Sequence, residues 1–126
     1  MKIIPTRIHG MLDYIVGLLL IFAPRIFGFQ NGGPEDRIPV TLGVLTLIYS
    51  LLTRYEMGLF KLIPFRVHLT IDFLSGVFLA VSPWAFGFSD RVWAPHLIVG
   101  LFEIAASMMS RAPAVDSGPV PITRTT

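Results

Sequence analysis

The chain has 126 residues, of which 53% are hydrophobic and only 14% are charged, and its mean hydropathy is +0.69. An ordinary soluble domain carries about 25% charged residues, so these charges are too few to cover a soluble globule of this size. The formal net charge is only +2, and the ten Lys and Arg residues are spread along the chain, which excludes a basic stripe for nucleic acid. The chain contains no cysteine, which excludes disulfides and thiolate metal sites. The composition therefore predicts an integral membrane protein.

Four apolar stretches approach the roughly 20 residues that a helix needs to cross a bilayer. They lie at about residues 8–24, 38–54, 65–83 and 92–110, and each ends at proline or charged residues. A cleaved signal peptide is the alternative for the first stretch, but Asp13 interrupts its apolar run and no small-residue cleavage site follows. The polar segment 30–37 is predicted to be a loop. The sequence thus predicts an all-α, four-transmembrane-helix bundle over residues 1–112, followed by a flexible tail rich in Pro, Ser and Thr over residues 113–126.

The first and third stretches are similar in sequence. Residues 1–29 align with residues 60–88 without a gap and share 12 identities, whereas chance would give roughly two. The second and fourth stretches align more weakly at a spacing of 57, with Gly43 over Gly100 and Ser50 over Ser107. We predict an internal duplication, with repeat 1 at about residues 1–58 and repeat 2 at about 60–112. Each repeat is a hairpin with two crossings, so the repeats should be parallel and related by a pseudo-twofold axis along the membrane normal.

Polar residues recur at the start of each repeat. The order is the same in both: Arg7, His9, Asp13 and Gly17 in the first, and Arg66, His68, Asp72 and Gly76 in the second. The spacing of four places His, Asp and Gly on one helix face. Because a small residue lets another helix approach closely, we expect this face to point into the bundle, and we expect Gly43 and Gly100 to serve helix packing in the same way.

Two interpretations of the His and Asp residues remain open at this stage. In the structural one, they cap a helix, bond to a neighbouring helix or pair with Arg7 and Arg66. In the alternative, the two pairs meet as a His2Asp2 set that binds a divalent metal or relays protons. We expect the structural role without a bound metal, because the nearby arginines would oppose the accumulation of a divalent ion.

A carboxylate deep in the fourth stretch is the other informative polar residue. Glu103 shares a helix face with His96, Gly100 and Ser107, whereas its counterpart in the first repeat is the uncharged Thr46. An intramembrane carboxylate is by default a functional candidate, and a protonated Glu bonded to a neighbouring helix is an equally economical alternative.

Aromatic and proline residues mark the end of each repeat's first helix. The second repeat contains Ser82, Pro83 and Trp84, followed by the segment 85–88 with the sequence AFGF. With His68 and Asp72 upstream, this pattern resembles the SPW repeat family of small bacterial and archaeal membrane proteins. The resemblance extends to about residue 111 and implies one or two helical hairpins, but it implies no established activity. The first repeat departs from the motif, because it has APR at residues 23–25 and keeps only the proline. We expect the two tryptophans, Trp84 and Trp93, to lie in an interfacial aromatic belt rather than against a cofactor.

No catalytic residue, cofactor or metal is predicted from the sequence. Ser82 has no base at a recognisable spacing, and the chain has neither a phosphate-binding loop nor a haem-attachment motif. The sequence favours a structural or interaction protein, either a homo-oligomer in the lipid bilayer or an accessory subunit of a larger membrane complex. The alternative is a small ion or proton transporter or channel subunit that uses the polar residues His9, Asp13, His68, Asp72 and Glu103. A membrane enzyme has the least support.

The distribution of basic residues predicts the orientation in a prokaryotic cytoplasmic membrane. Lys2, Arg7, Arg54, Lys61, Arg66, Arg111 and Arg124 would lie on one side, and Arg25, Arg37 and Arg91 on the other. Basic residues in short loops favour the cytoplasmic side, so both termini are predicted to be cytoplasmic.

Overall fold

A computed structural model describes residues 3–111 as four α-helices. They are α1 (Thr6–Ile26), α2 (Pro34–Leu51), α3 (Phe65–Ala85) and α4 (Ala94–Met109). The described residues contain no β-strand and only two isolated β-bridges. The predicted all-α class is therefore confirmed. The predicted tail at residues 113–126 lies outside the described residues.

The ends of α1 and α3 differ from the prediction, which placed them at Pro24 and Pro83. Both helices continue for two residues past the proline. Proline in the last turn removes one N–H donor, and the carbonyl four residues earlier loses its partner. In α3 that carbonyl belongs to Leu79, and the Ser82 hydroxyl donates to it at 2.7 Å. The serine thus compensates locally for the proline in α3, whereas α1 continues equally far past Pro24 with Ala23 at the aligned position.

Glycine, rather than proline, ends these two helices. Gly28 and Gly87 follow the helix ends with φ values of 71° and 73°, in the left-handed region that glycine adopts at little cost. After each helix, the amide that follows the glycine donates to the carbonyl of the proline: Phe29 N–H to Pro24 O at 3.0 Å, and Phe88 N–H to Pro83 O at 2.8 Å. This arrangement resembles the glycine-terminated C-caps of many helices.

The start of α2 also differs from the prediction, because the helix begins at Pro34, inside the segment predicted to be a loop. Proline suits the first helical position, where its missing N–H has no helical partner anyway. The carboxylate of Asp36 accepts hydrogen bonds from the backbone N–H groups of Asn31 and Gly32 at 2.8 and 2.6 Å. The predicted loop is therefore a short turn, which Asp36 holds against the first turn of α2 by hydrogen bonds.

Helix length and apolarity decide which helices can cross a membrane. Within residues 3–111, α1 and α3 are long and apolar enough, each with 21 residues and a mean hydropathy of 1.4. At about 1.5 Å per residue they extend about 31 Å, which matches a hydrocarbon core of about 30 Å. The helix α4 is a shorter apolar helix of 16 residues.

The helices pack as two hairpins, with α1 on α2 and α3 on α4. A Cβ atom added to Gly43 would lie 2.6 Å from the carbonyl oxygen of Gly17, and one added to Gly100 would lie 2.6 Å from that of Gly76. The helix backbones therefore touch at these glycines, one contact in each hairpin. Between the hairpins, Val16, Leu20 and Leu79 form a small apolar core.

The backbone connects the two hairpins at the end where the chain enters α1 and α3. Ile4 bonds to the end of α4, through Ile4 N–H to Met109 O and Arg111 N–H to Ile4 O, both at 2.9 Å. Ile63, its equivalent in the predicted alignment, accepts from Arg54 N–H at 2.8 Å, just after α2. Each segment that precedes a first helix is thus bound to the end of a second helix. The same end of the molecule carries the polar residues described next.

Candidate functional site

His9, Asp13, His68 and Asp72 meet in the interior, where each histidine contacts both aspartates. His9 Nε2 lies 2.7 Å from an Asp72 oxygen and 3.1 Å from an Asp13 oxygen. His68 Nε2 lies 2.9 Å from Asp13 and 3.1 Å from Asp72. All four side chains are buried. We call these four residues the His–Asp cluster. The sequence placed each pair on one helix face, and the packing of the two hairpins, through α2 on α3 and α1 on α4, brings the two faces within side-chain reach.

Two hydroxyl groups fix the orientation of the imidazole rings. His9 Nδ1 lies 2.6 Å from Ser110 Oγ, and His68 Nδ1 lies 2.6 Å from Thr53 Oγ1. Each hydroxyl also lies 2.6 Å from the backbone carbonyl four residues earlier, which can only accept. Because a hydroxyl has a single proton, which goes to the carbonyl, its oxygen must accept from the histidine. Both rings therefore carry a proton on Nδ1 and direct Nε2 towards the aspartates.

Two tyrosines donate to the carboxylates of the cluster. Tyr55 OH donates to Asp13 Oδ2 at 2.9 Å, and Tyr49 OH donates to Asp72 Oδ1. Burial, and then the nearby Asp13 charge, raise the pKa of the Tyr55 phenol, which therefore stays a donor at neutral pH. With these bonds, each member of the cluster is oriented by a second side chain from another element.

None of these four orienting residues was predicted from the sequence. Thr53 and Ser110 lie 57 positions apart, the same spacing that aligns the second helices of the two repeats, so the pair of hydroxyl residues was a usable signal. Tyr49 and Tyr55 have no such counterparts, and only the tertiary fold brings them to the aspartates.

The cluster does not cap the helices, contrary to the local-capping interpretation. Pro5 and Pro64 occupy the N-cap positions of α1 and α3, without a side-chain capping bond. Asp13 and Asp72 lie about two turns further along, where the helical N–H groups are already bonded. Their carboxylates contact other elements instead, so their role is tertiary.

Glu103 lies beside the cluster. A cavity of about 20 Å³ is bounded by His9, Asp13, Asp72, Thr46 and Glu103, among others. This volume is enough for about one water molecule. Glu103 on α4 and Thr46 on α2, which the weaker repeat alignment equates, face the same space. Because α4 has Glu103 where α2 has Thr46, only α4 contributes a carboxylate beside the cluster.

His96 lies at the opposite end of the molecule from the cluster. Its Nε2 donates to the backbone oxygen of Glu35 at 2.9 Å, and its ring packs between Phe29 and Phe88. The buried Glu35 carboxylate in turn accepts two bonds from Arg91, at 2.8 and 2.6 Å. Sequence reasoning missed this link between the hairpins because Glu35 belongs to the segment predicted to be a loop.

The residues of the SPW motif separate into buried and exposed positions. Ser82 and Pro83 are buried at the end of α3, whereas Trp84 is half exposed and lies near Trp93, with ring centroids 6.5 Å apart. Ala23 occupies the aligned position in α1 and has no hydroxyl to donate. The Ser and Pro of the motif thus form one structural unit, and the Trp faces outward.

Comparison with protein families gives one match. The family model described as the SPW repeat domain matches residues 7–110, which is more than four-fifths of the chain and includes the whole His–Asp cluster. Searches of curated proteins and of solved structures gave no match. This chain belongs to the SPW repeat family.

Proposed function

We propose that this protein crosses the prokaryotic cytoplasmic membrane four times and acts by association with other membrane proteins, as a homo-oligomer or as a small accessory subunit. In this proposal the two hairpins are parallel repeats that arose by internal duplication, and both termini are cytoplasmic. The observation that carries the proposal is how the polar groups are used. Across the two hairpins, His9 bonds to Asp72 and His68 Nε2 lies 2.9 Å from Asp13, and the adjoining cavity has room for about one water.

The outer surface supports a role in association within the bilayer. Large apolar side chains are exposed on all four helices, among them Ile15, Leu45, Leu74 and Ile98. Lipid or protein would cover such a surface, since a contiguous apolar exterior is unfavourable in water. Each hairpin's two helices are already in backbone contact, so the outward faces are the surfaces left for partners.

Photo-crosslinking in native membranes tests the association. A photoreactive residue at Leu74 or Ile98, which are 61% and 63% exposed, should give a discrete adduct with one protein at stoichiometric yield. The same residue at Leu79, which is fully buried, is the matched control and should give none. If both outward positions yield only lipid adducts, and native mass spectrometry finds a monomer, the proposal is wrong.

Proton or ion transfer is a second candidate function, favoured by the position of Glu103. Its carboxylate shares a small cavity with three members of the His–Asp cluster, which is an arrangement found in intramembrane relays. Purified protein in liposomes should then carry a proton or cation flux that Glu103→Gln abolishes and that Thr46→Val leaves nearly unchanged. Absence of any flux from folded, oriented protein would eliminate this candidate.

A further inference from the structure

We propose that the His–Asp cluster binds one divalent transition-metal ion, with zinc as the representative ion. Its ligands are Nε2 of His9 and of His68 and one carboxylate oxygen each from Asp13 and Asp72. The proposal goes beyond the association described above and does not depend on it. It also replaces the expectation from sequence that the cluster works without a metal.

The ligand atoms are already arranged around one point. Each residue offers one ligand atom, and these four atoms lie within 4.8 Å of one another. The separations between the histidine nitrogens and the carboxylate oxygens are 2.7 to 3.1 Å. Around a tetrahedral zinc with bonds of roughly 2.0–2.1 Å, neighbouring ligand atoms are about 3.3 Å apart. An ion would therefore enter after the closest nitrogen–oxygen pairs spread by a few tenths of an ångström and the more distant ligand atoms, up to 4.8 Å apart, moved closer together.

An unpartnered nitrogen points into the same space. Within residues 3–111, His68 Nε2 has no hydrogen-bond partner of acceptable geometry, although the side chain is fully buried and carboxylate oxygens lie at 2.9 and 3.1 Å. Buried polar atoms are nearly always satisfied, so an exception calls for an explanation. A cation between the nitrogen and the carboxylates would satisfy all of them at once.

The orientation of the rings also suits a metal. Ser110 and Thr53 accept the Nδ1 protons of the two histidines, which leaves both Nε2 atoms to serve as ligands. Metal-binding histidines almost always donate their other N–H to such a partner, and ligating carboxylates are in turn hydrogen-bonded. Tyr49 and Tyr55 provide those bonds to the carboxylates.

The charges balance when the ion is divalent. Two carboxylates and one M²⁺ sum to zero, which a buried site requires. Without metal, the same neutrality needs a proton on each Nε2, so one ion replaces two protons. The other titratable groups that face the cluster are Tyr49, Tyr55 and Glu103, and none of them is cationic.

The arginines that argued against a metal do not face the cluster. Arg7 and Arg66 lie two residues before the histidines, about 200° around the helix, and both side chains are exposed. Charges on exposed side chains are largely screened at physiological ionic strength, whereas the ligands are buried. Repulsion by Arg7 and Arg66 is therefore a weak argument against a divalent ion at the cluster.

The donor set selects the class of ion. Two imidazole nitrogens and two carboxylate oxygens suit zinc and its first-row neighbours. Calcium takes six to eight oxygen ligands, and magnesium keeps several waters in an octahedral shell. Neither ion suits four close ligands, of which half are nitrogen.

Metal titration of the full-length protein tests the site. Detergent-purified protein, stripped with a chelator, is titrated with CoCl2 and with ZnCl2. We expect one Co²⁺ per chain with the strong visible bands of a tetrahedral ion, displaced by Zn²⁺ but not by Ca²⁺ or Mg²⁺. His68→Gln and Asp72→Asn should each weaken binding at least about 100-fold, and Thr53→Val about 10- to 100-fold, because outer partners have effects of that size. His96→Gln, which removes the third histidine, is the control and should bind as the wild type does.

Each of the following results would overturn the proposal: a folded wild-type protein that takes up neither ion, a bound Co²⁺ with the weak spectrum of an octahedral aqua ion, or binding that survives His68→Gln. Equal loss in His96→Gln would also contradict it, since that residue lies at the other end of the molecule. If His68→Gln does not fold, the wild-type spectrum and Thr53→Val decide the question, because the threonine is outside the ligand set.

Discussion

Replacement of Ser82 tests why the serine and proline of the family motif occur together. Pro83 cannot donate to the Leu79 carbonyl, and the Ser82 hydroxyl does so at 2.7 Å in a fully buried position. Ser82→Ala leaves that carbonyl unpaired, which should lower the free energy of unfolding by about 1–3 kcal/mol. In a Pro83→Ala background the new N–H can bond to Leu79, so the same serine replacement should cost less than about 0.5 kcal/mol.

Denaturant unfolding in detergent micelles measures the free energy of unfolding of the wild type, the two single variants and the double variant. Trp84 and Trp93, whose rings lie close together at the motif, report unfolding through their fluorescence. The aligned position in α1 offers a converse variant. Ala23→Ser places a hydroxyl near the carbonyl that Pro24 leaves unpaired, and should raise the free energy of unfolding by about 0.5–1.5 kcal/mol. An equal cost of Ser82→Ala with and without Pro83 would refute the reasoning.

Three further predictions concern packing, the cluster and orientation. Gly100→Leu should separate α3 from α4 and lower the free energy of unfolding by about 3 kcal/mol or more, because even a Cβ at this position would lie 2.6 Å from backbone atoms of α3. An unchanged free energy of unfolding would contradict that contact. In metal-free protein, Asp72→Ala should destabilise the fold by about 1–3 kcal/mol more than His68→Gln, because it leaves several buried donors unpaired, and the reverse order in the same assay would count against the assigned bonds. Reporter fusions after Arg111 should show a cytoplasmic C-terminus, and an external reporter would reject the proposed orientation.

Helical periodicity was enough to predict which residues of the cluster share a face. The spacing of four in His9 and Asp13, repeated in His68 and Asp72, is a local property of the chain. That the two faces meet depends on how the two hairpins pack, through α2 on α3 and α1 on α4, which no local pattern encodes. Tyr55 reaches Asp13 from the connection between α2 and α3, across 42 positions in the chain, so its role was visible only in the fold.

The errors at the helix ends have two physical causes. Proline is a strong signal for a helix end, but α1 and α3 both continue two residues past it and are ended by Gly28 and Gly87. At the start of α2, the charges of Glu35 and its neighbours resemble a solvated loop. The structure instead buries Glu35 against Arg91 from the other hairpin, a pairing between residues 56 positions apart.

Nitrogen NMR of ¹⁵N-labelled histidine is the most direct test of the central claim, that Thr53 and Ser110 hold His9 and His68 with both Nε2 atoms facing the aspartates. The chain has only three histidines, so each ring can be assigned with single variants. On addition of Zn²⁺, His9 and His68 should exchange the Nε2 proton for the metal while each keeps its Nδ1 proton, and His96 should not change. A spectrum in which His9 or His68 lacks the Nδ1 proton would contradict the central claim, and one in which Zn²⁺ alters none of the three rings, or only His96, would contradict the metal site.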